Sequence, residues 1–284
     1  MAKKPIKEIS SIESSELGKG THIKVKILKN REAISDVFAR TISDKIIENN
    51  EKKQNSCFIM PVGPIGQYRK LARIVNREEI DVSNLYFFNM DEYVGKDGRN
   101  LSASHPFSFT CFVKTEFLDL IDKGRGLRKE NFYLPDAQNV KAISQAIEKA
   151  GGVDICFGGI GLNGHIAFNE PPESYEGWTD ESFAQAPVRV VKLAATTKAT
   201  NAIFGTGGDL KMVPDYAVTI GMKEILASRQ IQIFLDWPWQ TRIVREAIHG
   251  PVTRFCPASY IQLHKNVVIT MAECVAEKPR IKPE

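Results

Sequence analysis

The 284-residue sequence has no apolar run near the roughly 20 residues that a membrane-spanning helix needs. Its opening segment, MAKKPIKEISSIESS, carries positive charge but no apolar stretch of the kind found in a secretory signal. We therefore expect no membrane partner and no export, and by elimination a cytoplasmic protein.

Cysteine is scarce, with five residues, and no pair of them has metal-ligand spacing. An odd number of cysteines within largely apolar surroundings indicates buried free thiols in a reducing compartment. The five histidines are not spaced as zinc ligands either. The sequence therefore predicts neither a disulfide framework nor a metal site.

The sequence also lacks a large excess of either charge, since the formal net charge is only +4. No basic stripe with interleaved aromatic residues is present, so we expect no nucleic-acid partner. The hydrophobic fraction of 43% and the charged fraction of 25% are ordinary for a globular protein. A sizeable hydrophobic core is therefore available.

Short apolar segments alternate with amphipathic ones along most of the chain. This alternation predicts an α/β fold with a mostly parallel sheet and helices on both faces. Residues 1–22 are polar and predict a flexible arm, residues 23–275 a single domain, and residues 276–284 a polar tail. The predicted strands include IKVKIL, SCFIM, NLYFFNMDEY, VDICFG, VRVVKL, YAVTIG and IQIFLD, with IQLH and NVVITMA as candidates for the last two.

Three predicted strands end in loops that carry chemistry, namely PVGPIG, NMDEY and GGIGLNGH. Ligands of open parallel sheets bind at the carboxyl ends of the strands. The three loops therefore predict one shared active site.

Gly159, Gly161 and Gly164 form a G-x-G-x-x-G pattern after the strand VDICFG. This pattern suggests dinucleotide binding, but the binding loop must open a long helix that holds the pyrophosphate. Pro171 and Pro172 would stop such a helix after about one turn. We therefore prefer a loop whose glycines let backbone N–H groups approach a polar ligand, and we expect no cofactor.

His165 and Glu170 flank this glycine loop, with Asn163 beside them. A carboxylate can orient an imidazole and set its tautomer, although a supporting role for His165 in the loop is the alternative. Asp91 and Glu92 end another strand, and only one of them should point into the site because adjacent strand residues face opposite ways. A carboxylate there is a candidate proton-transfer base, the alternative being a helix cap.

Two strings, FNMDEYVG and GGIGLNGHIAFNEP, resemble the signature segments of glucosamine-6-phosphate deaminases. Weaker similarities in HPFSF, VPDYAVTIG and IQLH keep the same order, so the resemblance spans roughly residues 24–275. It implies a single doubly wound domain with residues 171–187 in a mobile lid. It also implies amino-sugar metabolism, conversion of glucosamine 6-phosphate to fructose 6-phosphate and ammonia without a cofactor, and a homo-oligomer as one possibility.

The resemblance also implies roles for single residues. Asp91 matches the base that moves a proton between C2 and C1, His165 the residue that assists ring opening, and Glu170 its acidic partner. We add Asn163 to this catalytic set. As substrate-binding candidates we take Gly63, Gly66, Glu92, Gly161, Gly164 and Gln240.

The sequence departs from this family at the phosphate site. The first loop, PVGPIG, lacks hydroxyl groups, while Ile203 and Gln240 align with a phosphate-binding arginine and lysine. We therefore predict an amino-sugar isomerase or deaminase for a sugar or sugar phosphate, with an altered pocket for the substrate tail. The alternatives are an orthodox glucosamine-6-phosphate deaminase that uses other ligands such as Lys198, Arg242 or Arg245, and a non-catalytic sugar-binding protein.

Overall fold

A computed structural model describes residues 9–63, 66–174 and 177–279. Seven strands form a parallel central sheet, and three more form a separate antiparallel sheet. The strands are β1 (Lys24–Leu28), β2 (Ser56–Met60), β3 (Leu85–Asn89), β4 (Asp91–Val94), β5 (Phe132–Tyr133), β6 (Ile155–Gly158), β7 (Arg189–Lys192), β8 (Tyr216–Thr219), β9 (Gln230–Leu235) and β10 (Val267–Ala272).

The central sheet has the strand order β1-β10-β9-β6-β2-β3-β5, and every neighbouring pair in it is parallel. Its middle strands are continuous runs of buried residues because helices cover both faces. The predicted α/β fold with a mostly parallel sheet is thus confirmed. Parallel strands place their carboxyl ends along one edge, and the site described below lies there.

The helices follow from their apolar spacing and their caps. The longest, Arg31–Glu51, begins where the Asn30 side chain accepts a hydrogen bond from the Ala33 amide. It packs Phe38 against Phe234 of β9 with ring centroids 4.1 Å apart. The helices are α1 (Arg31–Glu51), α2 (Gln67–Arg77), α3 (Phe109–Glu116), α4 (Lys141–Lys149), α5 (Asp180–Ala184), α6 (Ala195–Gly205), α7 (Met222–Leu226), α8 (Thr241–His249) and α9 (Glu273–Ala276).

The antiparallel sheet, with the order β4-β8-β7, was not predicted. The sequence suggested one strand through NLYFFNMDEY, but the chain changes sheets at Met90. The Met90 amide donates to Met60 at the end of β2, and its carbonyl accepts from Ile220 after β8. The predicted strand IQLH is also wrong, because Pro257–Leu263 forms a 3-10 helix that opens with proline.

The N-terminal segment packs on the domain. Ile9, Ile12 and Leu17 are buried in the main core, and the fully buried Arg245 donates to the Ile12 carbonyl at 2.9 Å. The prediction of a flexible arm is therefore wrong for residues 9–22, because apolar residues spaced through a polar segment supply a buried face. Residues 1–8 lie outside the described part of the chain.

The segment predicted as a lid contains helix α5, whose Phe183 is buried against Tyr260. Its mobility stays a prediction, and residues 175–176 of it are not among those described. Across the described residues, no helix combines the length and apolar character that crossing a membrane requires.

Candidate active site

A cavity of about 490 Å³ opens at the carboxyl edge of the central sheet. Loops after β2, β6 and β9 form one side, and β4 of the small sheet forms the other. The cavity therefore joins the three chemically loaded loops that the sequence singled out. Its lining includes Gly63, Asp91, Tyr93, Gly159, Gly161, His165, Asp236, Trp237 and Gln240.

Asp91 is the first residue of β4 and contributes to the cavity wall with only 7% of its surface exposed. Its position is set by backbone pairing with Thr219 of β8 and by the Asn89 side-chain amide, which donates to the Asp91 carbonyl at 2.9 Å. Burial, together with the negative charge of Glu92, raises the pKa of Asp91 well above its usual value. A carboxylate with a raised pKa is a better proton acceptor near neutrality.

Glu92 points away from the cavity, to the N-terminus of α3. Its carboxylate accepts hydrogen bonds from the amides of Tyr93, Phe109 and Thr110 and from the hydroxyls of Ser108 and Thr110. The expectation that Glu92 binds substrate is corrected by this placement, because five donors already occupy its oxygens. The expectation that only one of the two adjacent carboxylates faces the site agrees with the structure.

His165, Asn163 and Glu170 form one hydrogen-bonded group. Nδ1 of His165 lies 2.8 Å from Asn163 Oδ1 and 3.4 Å from Glu170 Oε2, and Asn163 Nδ2 donates to Glu170 Oε2 at 2.6 Å. Burial alone would raise the pKa of Glu170, but hydrogen bonds and the nearby imidazole outweigh it and leave the pKa below its usual value. The carboxylate is therefore ionised at neutral pH and can stabilise a protonated imidazole.

Thr197 also belongs to this group, since its hydroxyl lies 3.2 Å from His165 Nδ1. All these contacts fall on Nδ1 and leave Nε2 as the nitrogen that can face a ligand. The sequence had pointed to His165, Glu170 and Asn163, whereas Thr197, on a helix 32 residues away, had no local signal.

Two glycines of the loop have different structural roles: one leaves space for the His165 ring, and the other allows a left-handed backbone conformation. A Cβ at Gly161 would lie 2.1 Å from ring atoms of His165, so only glycine lets the ring lie over this residue. Gly164 has a φ of +88°, a left-handed conformation that favours glycine. Residues 159–174 contain no helix, so the G-x-G-x-x-G pattern here does not open the helix that a dinucleotide site needs.

Of the remaining candidates, Gly63 lines the cavity, whereas Gly66 is the N-cap residue that precedes helix α2, with a φ of +118° beside Ser35. Gln240 lines the cavity wall but is internally satisfied. Its Nε2 donates to Ile160 O at 2.8 Å, and its Oε1 accepts from the amides of Asp236 and Trp237. Gln240 therefore braces two loops, and these bonds leave only one N–H of its amide for a substrate.

Comparison with known proteins decides the family. A glucosamine-6-phosphate deaminase of Thermoanaerobacter sp. (strain X514) is 33% identical over 255 residues, which cover 87% of this chain and 91% of the relative. The glucosamine-6-phosphate deaminase 2 of Bacillus subtilis (strain 168) is 31% identical over 265 residues, 90% of this chain and 97% of the relative. This chain belongs to the glucosamine-6-phosphate deaminase family.

Solved structures agree with this family. A monomeric glucosamine-6-phosphate deaminase of the NagB superfamily matches with a TM-score of 0.76 and 28% identity, covering 89% of this chain and 98% of the other. A 6-phosphogluconolactonase from Thermotoga maritima, at 15% identity and a TM-score of 0.60, covers 88% of this chain and 100% of its own and shares the fold alone. No protein-family model matches the chain. The chain is an enzyme of the isomerase and deaminase type.

The far end of the cavity contains little positive charge. Among the described residues that line it, Arg31 is the sole lysine or arginine, and its Nε lies 2.7 Å from Oδ2 of the buried Asp236. The guanidinium also lies 3.7 Å from the centroid of the Trp237 ring, and Phe204 packs on the same tryptophan at 4.4 Å. The sequence analysis did not identify Arg31, Asp236 or Phe204.

The three cations suggested as substitute phosphate ligands do not line this cavity. Lys198 pairs with Asp215, and Arg242 pairs with Glu246 at 2.9 Å. Arg245 is fully buried and donates to main-chain carbonyls, as described above. Ile203, which aligns with the family's arginine, is 68% exposed and lies outside the cavity lining.

Proposed function

We propose that this enzyme isomerises and deaminates an amino sugar, with Asp91 as the base. Asp91 removes the proton from C2 of the open-chain aldose and returns it to C1, which converts the 2-amino aldose into a 2-imino sugar. Water then adds to C2, and the C–N bond breaks to release ammonia and the ketose. The observation that carries the proposal is a buried carboxylate of raised pKa in the same cavity as His165.

His165, Asn163 and Glu170 act before this step, on the ring-closed sugar. Nδ1 is held by Asn163, Glu170 and Thr197, so Nε2 is the nitrogen that moves a proton at the ring oxygen. The ionised Glu170 stabilises the imidazolium that forms when the ring nitrogen takes up a proton. This arrangement supports proton transfer without a cofactor.

The second candidate is an orthodox glucosamine-6-phosphate deaminase, which the names of the relatives favour. Arg31 would then be the cation that binds the phosphate in place of the family's ligands. The non-catalytic sugar-binding alternative is set aside, because the relatives of this chain are named as deaminases. A homo-oligomer stays a prediction, which size-exclusion chromatography with light scattering would test.

Replacement of Asp91 by asparagine tests the role of the base. Asp91→Asn should lower turnover of the reacting amino sugar by ~10²–10⁴-fold, the usual loss for a general base. Ammonia release and ketose formation are measured together, and Asp119→Asn, which changes an exposed carboxylate outside the cavity lining, is the matched control. Turnover of Asp91→Asn within threefold of the control would rule Asp91 out as the base.

A further inference from the structure

One end of the cavity is formed by Arg31, Asp236, Trp237 and Phe204 and is here called the tail subsite. Its separation from Asp91 suits a hexose whose reacting carbons contact Asp91 and whose terminal carbon reaches the subsite. Met90 is bonded to the end of β2, so Asp91 leaves the central sheet beside that strand. Asp236 and Trp237 follow β9, which is two strands from β2 in the sheet. At ~4.8 Å per strand this separation is about 10 Å, within reach of an open-chain hexose whose C1 and C2 contact Asp91.

The tail subsite has a fixed guanidinium whose charge is already opposed. Asp236 contacts one edge of Arg31, and the Trp237 ring covers a face. The side chain of Asp236 is 3% exposed, so its negative charge is poorly screened by water. A phosphate dianion that approached Arg31 would therefore also approach a buried carboxylate, and like charges at such distances repel.

A hydroxyl group fits the same pair well. It can donate to a carboxylate oxygen of Asp236 and accept from a free N–H of the Arg31 guanidinium, which has five N–H donors. The aromatic rings of Trp237 and Phe204 offer apolar faces to the C–H groups of a sugar. The described part of the loop after β2, Pro61–Val62–Gly63, adds no side-chain donor.

We propose that the tail subsite selects an unphosphorylated amino sugar, with Arg31 and Asp236 binding its terminal hydroxyl. This inference rests on the proposed function, because that function sets which end of the sugar faces Asp91. It names a neutral-tailed 2-amino-2-deoxyhexose as the substrate class, and it makes Asp236 the residue that discriminates against phosphate.

The test compares glucosamine with glucosamine 6-phosphate as ligands of the full-length enzyme. Calorimetry at constant ionic strength gives both dissociation constants, and ammonia release gives both values of kcat/KM. We expect glucosamine to bind at least tenfold more tightly than its 6-phosphate. Equal or tighter binding of the 6-phosphate, or binding of neither sugar, would overturn the inference.

Two substitutions test the residues. Asp236→Asn keeps the shape but leaves the charge of Arg31 unopposed, so the affinity ratio should move at least tenfold toward glucosamine 6-phosphate. Arg31→Met should weaken glucosamine binding at least tenfold with no gain for the 6-phosphate. Asp215→Asn makes the same charge change outside the cavity and should leave the ratio unchanged. An unchanged ratio in Asp236→Asn, with its circular dichroism like that of the wild type, would refute the discriminating role.

The two proposals fail in different ways. If the wild type prefers glucosamine 6-phosphate and Asp91→Asn abolishes its turnover, the tail-subsite inference is wrong and the proposed function stands. If glucosamine binds as expected but neither sugar is converted, the subsite stands and the proposed deamination is wrong.

Discussion

Asp91→Asn should make the folded protein more stable at neutral pH while it removes activity. The raised pKa of Asp91, caused by burial and then by the charge of Glu92, means that the folded state binds this proton more tightly than the unfolded chain does. The contribution of this proton to the free energy of unfolding is fully present below the pKa of the unfolded chain, near 3.8. It is lost as pH rises through the pKa of Asp91 in the folded state. An asparagine has no charge to desolvate, so the variant escapes this loss.

Each unit by which the pKa is raised corresponds to about 1.4 kcal/mol. A change of 1 kcal/mol shifts Tm by roughly 2–4 °C in proteins of comparable size, so we expect Asp91→Asn to have a measurably higher Tm than the wild type at pH 8. Calorimetric scans of both proteins from pH 5 to pH 8 should show a difference that grows with pH. In the wild type, kcat/KM should rise with pH as the carboxylate ionises. A variant that is no more stable than the wild type at any pH would refute the account of Asp91 as a desolvated base.

Other predictions use separate parts of the site and the core. His165→Gln should reduce turnover of a ring-closed sugar far more than that of an open-chain analogue, and equal losses would contradict the ring-opening role. Gly161→Ala should displace the imidazole and lower kcat with little change in Tm, whereas Gly164→Ala, at a φ of +88° and 3.0 Å from a buried sulfur, should lower Tm. Gly124→Ala, with open space around it, is the control for both. Arg245→Met should lower the free energy of unfolding by about 3 kcal/mol in urea titrations, because buried carbonyls lose their donor.

Much of the fold was predictable because buried parallel strands are apolar runs bounded by loops. The small antiparallel sheet was not, since the strand NLYFFNMDEY has no proline or glycine to mark its break at Met90. The segment is split into two strands because the backbone of Met90 hydrogen-bonds to two different sheets, and such tertiary contacts cannot be read from the local sequence. The buried face of residues 9–22 was missed for a related reason, because Ile9, Ile12 and Leu17 are too sparse to form a periodic pattern.

The residues around the cavity likewise include some that were predictable from sequence and some that were not. Asp91, His165, Asn163 and Glu170 follow strands in recognisable strings, and the structure brings them to one cavity or into contact with it. Their catalytic roles stay predictions.

Other residues were harder to judge from sequence. Glu92 and Gln240 were taken as substrate ligands because sequence does not show which hydrogen-bonding groups the fold has already used. Arg31 and Asp236 are 205 positions apart, and no local sequence pattern predicts an ion pair between residues so far apart.

The connection at Met90 limits how the length of the chain can vary. The Met90 N–H bonds to the central sheet and its C=O bonds to the small sheet. No residue between Asn89 and Asp91 is therefore unpaired and able to absorb a change in length. An inserted residue would break one of these bonds or turn Asp91 to the opposite face of β4, since side chains alternate along a strand. Insertions are far easier to accept in the loop at residues 95–104, beyond the far end of β4. The spacing within FNMDEY is thus a mechanical requirement of joining two sheets, independent of any contact that these side chains make with a sugar.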